Sequence, residues 1–105
     1  MAVEYVVVGE VDQLESGHVM VVAIDDYRIA VCNLDGTFYA IDDVCTHDGG
    51  PLDQGLLEGD EIECPRHGAR FNVRTGEVTM MPAVVPVATY PVVIEDGEVL
   101  VGLPA

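Results

Sequence analysis

Positive charge is scarce in this sequence, which has no lysine and only four arginines against 19 aspartates and glutamates. The formal net charge at pH 7 is -15. A surface so acidic repels phosphate backbones and anionic lipid head groups, so nucleic acids and membrane surfaces are excluded as natural partners. Basic protein surfaces are favourable partners instead.

Long apolar segments and a basic leader are also missing. The longest clean apolar run, Val19–Ile24, has six residues, whereas a membrane-spanning helix needs about 20. The segment Met1–Glu10 contains no basic residue, which predicts that there is no secretory signal and that the protein is cytoplasmic. Disulfides are rare in that compartment, so an odd count of three cysteines directs attention to metal or redox chemistry.

What the sequence does contain is typical of one small β domain. Its 105 residues are half hydrophobic, which is enough for a single folded core over residues 1–105. Short valine-rich segments separated by turn signals predict an all-β, antiparallel sandwich or barrel, with only a turn of helix near residues 11–14. The predicted strands are Tyr5–Val8, Val19–Ile24, Tyr27–Val31, Thr37–Ile41, Val87–Ile94 and Val99–Val101.

Two Asp-Gly dipeptides predict the tips of tight hairpins. They are Asp35-Gly36 and Asp96-Gly97, each between two predicted strands. A type I′ turn needs positive φ at both central residues, and aspartate followed by glycine tolerates that geometry well. We therefore expect two-residue turns at both positions.

The segment from about residue 43 to residue 72 departs from the β pattern. It holds five glycines and two prolines, together with two of the three cysteines and two of the three histidines. Loops carried on a rigid scaffold are where binding and catalytic residues concentrate. We therefore predict a loop-rich subdomain here, on a base formed by the remainder of the chain.

Two cysteine–histidine pairs lie in this segment. Cys45 and His47 form a C-x-H pair, and after sixteen residues Cys64 and His67 form a C-x-x-H pair. Two thiolates and two imidazoles suit a zinc ion, or an iron–sulfur cluster in which one iron binds the sulfurs and the other the nitrogens. A zinc-stabilised binding module is thus one interpretation. No nucleophile–base arrangement or phosphate-binding loop accompanies the pairs, so we predict no catalytic residues.

The wider pattern resembles the Rieske [2Fe-2S] family. The matching stretches are C-T-H-D-G-G-P-L at 45–52, C-P-R-H-G-A-R-F at 64–71, R-T-G-E-V at 74–78, M-P-A at 81–83 and Y-P-V at 90–92. Together they extend over essentially the whole chain. In length and order the sequence is similar to the stand-alone Rieske ferredoxins of bacterial ring-hydroxylating dioxygenases.

The resemblance implies a ligand set. Cys45 and Cys64 would bind an inner iron, and His47 and His67 an outer iron near the surface. Three glycines in the ligand loops would let backbone N–H groups approach the bridging sulfides, and a proline would lie on a third loop that covers the cluster. These residues are Gly49, Gly50, Gly68 and Pro82.

The resemblance also implies a function. The protein would carry one electron at a time from a flavin-containing reductase to a terminal non-haem iron oxygenase that attacks aromatic rings. It would not be an enzyme alone, and it would act as a monomer in transient complexes. The alternative within the same family is an electron carrier that serves a different system, such as nitrite reductase or iron–sulfur assembly.

The sequence departs from the Rieske proteins of respiratory complexes at four positions. Gly50 and Arg66 stand where those proteins have a disulfide-forming cysteine pair, and Ala69 and Phe71 stand where they have hydroxyl-bearing residues. Missing hydroxyl donors leave negative charge on sulfur less stabilised, which lowers the reduction potential. We therefore expect a potential near the bottom of the Rieske range of roughly -150 to +300 mV.

Three of the four arginines, Arg66, Arg70 and Arg74, lie close together beside the second cysteine–histidine pair. They could pair locally with acids such as Glu63 or Glu77, or could make the cluster end less negative for a docking partner. The remaining cysteine, Cys32, is predicted to be a buried hydrophobe within a strand.

Overall fold

The computed structural model describes residues 3–47 and 49–104. The described residues form eleven strands and a single 3₁₀ turn, and no α-helix is present in these two ranges. The predicted all-β, antiparallel fold is confirmed. The strands are β1 (Val3–Glu10), β2 (Val19–Ile24), β3 (Tyr27–Leu34), β4 (Thr37–Asp42), β5 (Leu56–Glu58), β6 (Glu61–Glu63), β7 (Arg70–Asn72), β8 (Val78–Met80), β9 (Thr89–Tyr90), β10 (Val92–Glu95) and β11 (Glu98–Pro104), and the 3₁₀ turn is Val11–Gln13.

The strands are divided among three antiparallel sheets. The first sheet has the order β1-β11-β10, so it joins the two ends of the chain, and the second has the order β2-β3-β4-β9. The third sheet, β5-β6-β7-β8, comes entirely from the middle of the chain. No helix in the part of the chain that the structure describes is long and apolar enough to cross a membrane.

The second sheet is the middle layer because both of its faces are buried. Along β3, Ile29 and Val31 are fully buried in the core group shared with the first sheet, whereas Ala30 and Cys32 are fully buried in the group that contains the other two cysteines. Successive side chains of a strand point to opposite faces. The continuous buried run therefore follows from a strand that is covered on both sides.

Both Asp-Gly hairpin tips are confirmed. The backbone φ angle is 51° at Asp35 and 93° at Gly36, and it is 51° at Asp96 and 77° at Gly97. These are the positive φ values that a type I′ turn requires at its two central residues.

The predicted single strand Val87–Ile94 is wrong. Thr89–Tyr90 pairs with β4 in the second sheet, whereas Val92–Glu95 pairs with β11 in the first. The break falls at Pro91, which has no N–H to donate to a strand ladder. The short strands β5 to β8 were not predicted, because segments of three residues are too short for their alternation to be recognised.

Candidate metal centre

The two cysteine–histidine loops are closed by the same hydrogen-bond pattern. In the first ligand loop (residues 45–50), the Cys45 N–H donates to the carbonyl of Gly50 at 2.6 Å, and the Gly49 N–H donates to the carbonyl of Cys45 at 2.8 Å. In the second ligand loop (residues 64–69), the same two bonds run from the Cys64 N–H to Ala69 at 2.6 Å and from the Gly68 N–H to Cys64 at 3.1 Å. Two loops distant in the sequence are therefore held in one backbone arrangement.

Each loop turns at a glycine in the left-handed region. The φ angle is 75° at Gly49 and 77° at Gly68, and a Cβ at either position would meet no other described atom within 4 Å. A side chain would be strained there by its backbone conformation alone. The glycines thus leave the backbone of both loops bare and open to a bound group.

The ligand candidates are sorted by depth. Cys45 and Cys64 are buried, with relative exposures of 0% and 1%, whereas His47 and His67 are exposed. The centroids of the two imidazole rings lie 5.3 Å apart, with their planes at 88° to each other. Each loop therefore directs a sulfur inward and an imidazole outward.

The structure brings the two histidines directly together. Among the described residues, no three His, Cys, Asp or Glu side chains form a group that could hold a single metal ion. The donor set itself, two soft thiolates and two imidazoles in matching loops, fits a two-iron cluster with different ligands on each iron. Cys45, His47, Cys64 and His67 are the residues that could hold such a group.

Apolar side chains form the floor beneath both ligand loops. The cysteines of both ligand loops belong to one buried group with Leu52, Ala69 and Phe71. The latter three residues have 0% exposure. Ala69 and Phe71 therefore lie in the same apolar core as both sulfurs, where neither brings a hydroxyl.

The third loop (residues 81–87) joins this floor. Its Ala83 and Val87 are buried in the same group as the cysteines. The Thr46 hydroxyl of the first ligand loop donates to the carbonyl of Val85 at 2.6 Å, which ties the two loops together. Pro82 is half-buried within this loop.

Arg70 pairs locally with acidic residues, which is the first of the two roles that the sequence suggested for the arginines near the site. Its guanidinium lies 3.3 Å from Glu58, 3.3 Å from Glu61 and 3.2 Å from Glu63, and hydrogen bonds to these carboxylates, that of Glu61 first, raise the pKa of Arg70. Arg70 and Glu63 are also register partners on β7 and β6. The pair therefore closes the base of the second ligand loop.

The other two arginines near the site are exposed. The guanidinium carbon of Arg74 lies 6.0 Å from the ring centroid of Tyr39, at the outer limit of a cation–π contact. Arg66 lies within the second ligand loop, next to His67.

Asp43 is a functional candidate that sequence reasoning missed. Its side chain is fully buried, and its carboxylate accepts hydrogen bonds from the Arg28 Nε at 2.7 Å and from the backbone N–H groups of Leu52 at 2.8 Å and Asp53 at 2.7 Å. These bonds fasten the residues that follow the first ligand loop to Arg28 of β3. Only the position of Asp43 two residues before Cys45 could have drawn attention to it.

Cys32 and His18 differ from the ligand candidates. Cys32 is fully buried in β3 as predicted, and burial, with a smaller effect of the Asp43 charge, raises the pKa of its thiol to about 12. The His18 side chain is 66% exposed, and its Nε2 lies 4.0 Å from a carboxylate oxygen of Glu15. It lies outside both ligand loops, in the link between the 3₁₀ turn and β2.

Comparisons with known proteins agree with this geometry. Residues 4–91 match the family model described as the Rieske [2Fe-2S] domain. The ferredoxin component of the naphthalene 1,2-dioxygenase system from Pseudomonas putida is 36% identical over 103 residues, which cover 98% of this chain and 99% of that protein.

Two solved structures share the fold closely. The ferredoxin of carbazole 1,9a-dioxygenase from Nocardioides aromaticivorans IC177 superimposes with a TM-score of 0.89 at 39% identity, covering 92% of this chain and 95% of the other. A structure described as a complex of reduced oxygenase and oxidized ferredoxin in carbazole 1,9a-dioxygenase has a chain with a TM-score of 0.89 at 37% identity, covering 92% and 91%.

These relatives decide between the two metal interpretations. A match over most of the chain to the Rieske model implies a [2Fe-2S] cluster rather than a single zinc ion, and proteins named as ferredoxin components are electron-transfer subunits that do not catalyse alone. With its two matching cysteine–histidine loops, the chain belongs to the Rieske [2Fe-2S] family and is an electron carrier of the ferredoxin type.

Proposed function

We propose that this protein carries single electrons from a flavin-containing reductase to a terminal oxygenase that attacks aromatic rings. When bound, the cluster accepts and releases one electron. Cys45 and Cys64 would hold one of its irons, and His47 and His67 would hold the other. The observation that carries the proposal is the pair of loops with identical hydrogen bonding, buried sulfurs and adjacent exposed imidazoles.

The rest of the chain has a supporting role in this proposal. Residues from about 43 to 72 form the cluster-binding subdomain of a single Rieske domain, and the remainder forms its base. Gly49, Gly50 and Gly68 let the loop backbone approach the cluster, while the apolar floor under the cysteines keeps water from the sulfur side. The two histidines are exposed to solvent, and electrons leave there.

Electron exit at the histidines requires a partner that fits the surface around them. The third loop forms an apolar rim beside the first ligand loop, since its Met81, Val84 and Val85 are 77%, 80% and 54% exposed. The bond between Thr46 and Val85 keeps this loop beside the first ligand loop. We assign this apolar rim to the terminal oxygenase, in line with the oxygenase–ferredoxin complex known for a relative.

The acidic surface away from the ligand loops has a separate role in the approach of a partner protein. Exposed acids such as Glu95 and Glu98, which are register partners on β10 and β11, lie in the first sheet, away from both ligand loops. Such charges steer a basic partner over long range and are screened beyond about 8 Å at physiological ionic strength. We therefore propose transient complexes of a monomer that associate more slowly as salt rises, in the reducing cytoplasm where buried thiols stay reduced.

The ligand assignment is tested by cluster content. Purified protein should contain two irons and two acid-labile sulfides per chain, and His47→Ala or Cys64→Ala should prevent stable incorporation because an iron loses one of its two protein ligands. His18→Ala and Cys32→Ala are matched controls, since each removes the same side chain outside the ligand loops. One zinc without sulfide, or equal loss in the controls, would refute the assignment.

The docking role is tested by turnover with an oxygenase and its reductase. The double substitution Val84→Ser and Val85→Ser removes apolar surface without adding charge. At about 1 kcal/mol for each of the two valines that the partner buries, binding weakens by roughly thirtyfold, while the reduction potential stays unchanged. Val7→Ser is the control, because Val7 is 50% exposed on the first sheet. Equal effects of the two changes would contradict this docking surface.

A further inference from the structure

Asp43 and Arg28 form an ion pair whose acidic partner is fully buried. The Arg28 Nε lies 2.7 Å from an Asp43 carboxylate oxygen, and the Asp43 side chain has no exposure, whereas that of Arg28 is 58% exposed. In addition, the Asp43 N–H donates to the carbonyl of Arg28 at 2.9 Å. Backbone and side chain together therefore hold the two residues in one position.

The carboxylate lies next to the sulfur side of the proposed cluster site. Asp43 precedes the ligand Cys45 by two residues, so their Cα atoms are at most about 7 Å apart. Its other oxygen accepts the N–H of Leu52, whose side chain is buried in the same group as both ligand cysteines. A carboxylate that is paired with a guanidinium and two backbone N–H groups is thus fixed in a poorly solvated position near the proposed cluster site.

We propose that the Asp43–Arg28 pair sets the reduction potential of the cluster, in addition to positioning the first ligand loop. This inference rests on the proposed function. An added electron makes the site one unit more negative, so the buried carboxylate opposes reduction and the guanidinium favours it. Because water reaches only the arginine, the carboxylate is the less screened of the two charges.

A purely structural pair would behave differently from this charge pair. Loss of either partner would then loosen the loop, and both losses would move the potential in the same direction or leave it unchanged. A charge pair instead predicts shifts of opposite sign. The sign of each shift therefore separates the two roles.

The test is the reduction potential of four variants, measured by protein-film voltammetry, with iron and sulfide content and the EPR spectrum recorded for each. Asp43→Asn should raise the potential and Arg28→Gln should lower it, each by about a threefold to tenfold change in the reduction equilibrium, or roughly 30–60 mV for one electron. The double variant should return close to the parent value, and Arg28→Lys should stay near it because the charge is kept.

Asp42→Asn is the matched control for Asp43→Asn, because it removes the same charge from the half-buried neighbour Asp42. Arg74→Gln is the matched control for Arg28→Gln, because it removes the same charge from the exposed Arg74. They should shift the potential less than the test variants. If Asp43→Asn does not retain the cluster, the comparison of Arg28→Gln with Arg28→Lys still decides the sign. Shifts of the same sign, or none, in variants with full iron and sulfide content would overturn this inference while leaving the proposed function intact.

Discussion

Phe71→Tyr should raise the reduction potential. Phe71 is fully buried in the apolar group that contains both ligand cysteines, so the substitution adds a hydroxyl donor to the core on the sulfur side. A hydrogen bond to sulfur is stronger when the cluster is reduced and more negative. The reduced state is therefore the one that the new hydroxyl stabilises.

The expected size of the effect follows from ordinary hydrogen-bond energies. A bond worth about 1 kcal/mol more in the reduced state corresponds to roughly 40 mV for one electron, because ~59 mV is a tenfold change in the equilibrium constant. A hydroxyl that found no partner would instead cost about 1–3 kcal/mol of stability. The two results are distinguishable, since only the first moves the potential.

The assay is protein-film voltammetry, with Phe38→Tyr as the control. Phe38 is the other phenylalanine of the chain, and it packs against the core group shared with the first sheet rather than the group with the ligand cysteines. The same chemical change there should leave the potential unchanged. A potential unaltered in Phe71→Tyr while stability falls, or raised equally in both variants, would refute the reasoning.

Three further predictions concern stability and thiol chemistry. Gly76→Ala would strain a backbone with φ of 82° and place a Cβ 2.2 Å from the Val87 carbonyl oxygen, so it should lower the stability of the fold by about 2–5 kcal/mol. The control Gly36→Ala adds backbone strain but no close contact, so it should lower stability by only about 1–2 kcal/mol. Equal thermal midpoints for cluster loss in the two variants would contradict this prediction. Arg70→Gln should make cluster loss on heating easier, and the difference from the parent should narrow at high salt because the lost ion pairs are screened. The buried Cys32 thiol, with a pKa of about 12, should resist alkylation at pH 8 because almost none of it is a thiolate, and rapid labelling of the native protein by iodoacetamide, read by mass spectrometry, would contradict its burial. Because burial opposes ionisation of this thiol, its contribution to stability is fully present below pH 9 and is lost progressively as the pH rises to 12.

Much of the architecture could be predicted from the sequence, because it depends on local patterns. Strand β2 was predicted with its observed bounds, and the Asp35-Gly36 and Asp96-Gly97 turns follow from the backbone freedom of two adjacent residues. The two cysteine–histidine pairs are local motifs that indicated the ligand candidates, and the wider pattern of matching stretches indicated the family. Steric limits on the backbone and the donor chemistry of side chains act within a few residues.

The assignment of strands to sheets depends on contacts between distant parts of the chain. β9 and β10 lie one residue apart yet join different sheets, because one finds its partner in β4 and the other in β11. The four short strands of the third sheet have too few residues for a recognisable alternation. Their stability comes from pairing with one another and from the core beneath them.

The same reason explains what was missed at the site. Asp43 is one of 19 acidic residues in the sequence, and only folding places it fully buried between Arg28 and the amides of Leu52 and Asp53. Arg70 differs from the other arginines only once β5, β6 and β7 bring three glutamates around it. The sequence by itself determined which side chains have the chemistry to hold a cluster, whereas the tertiary structure decided which charges lie near them, since burial and pairing depend on residues that are far apart along the chain.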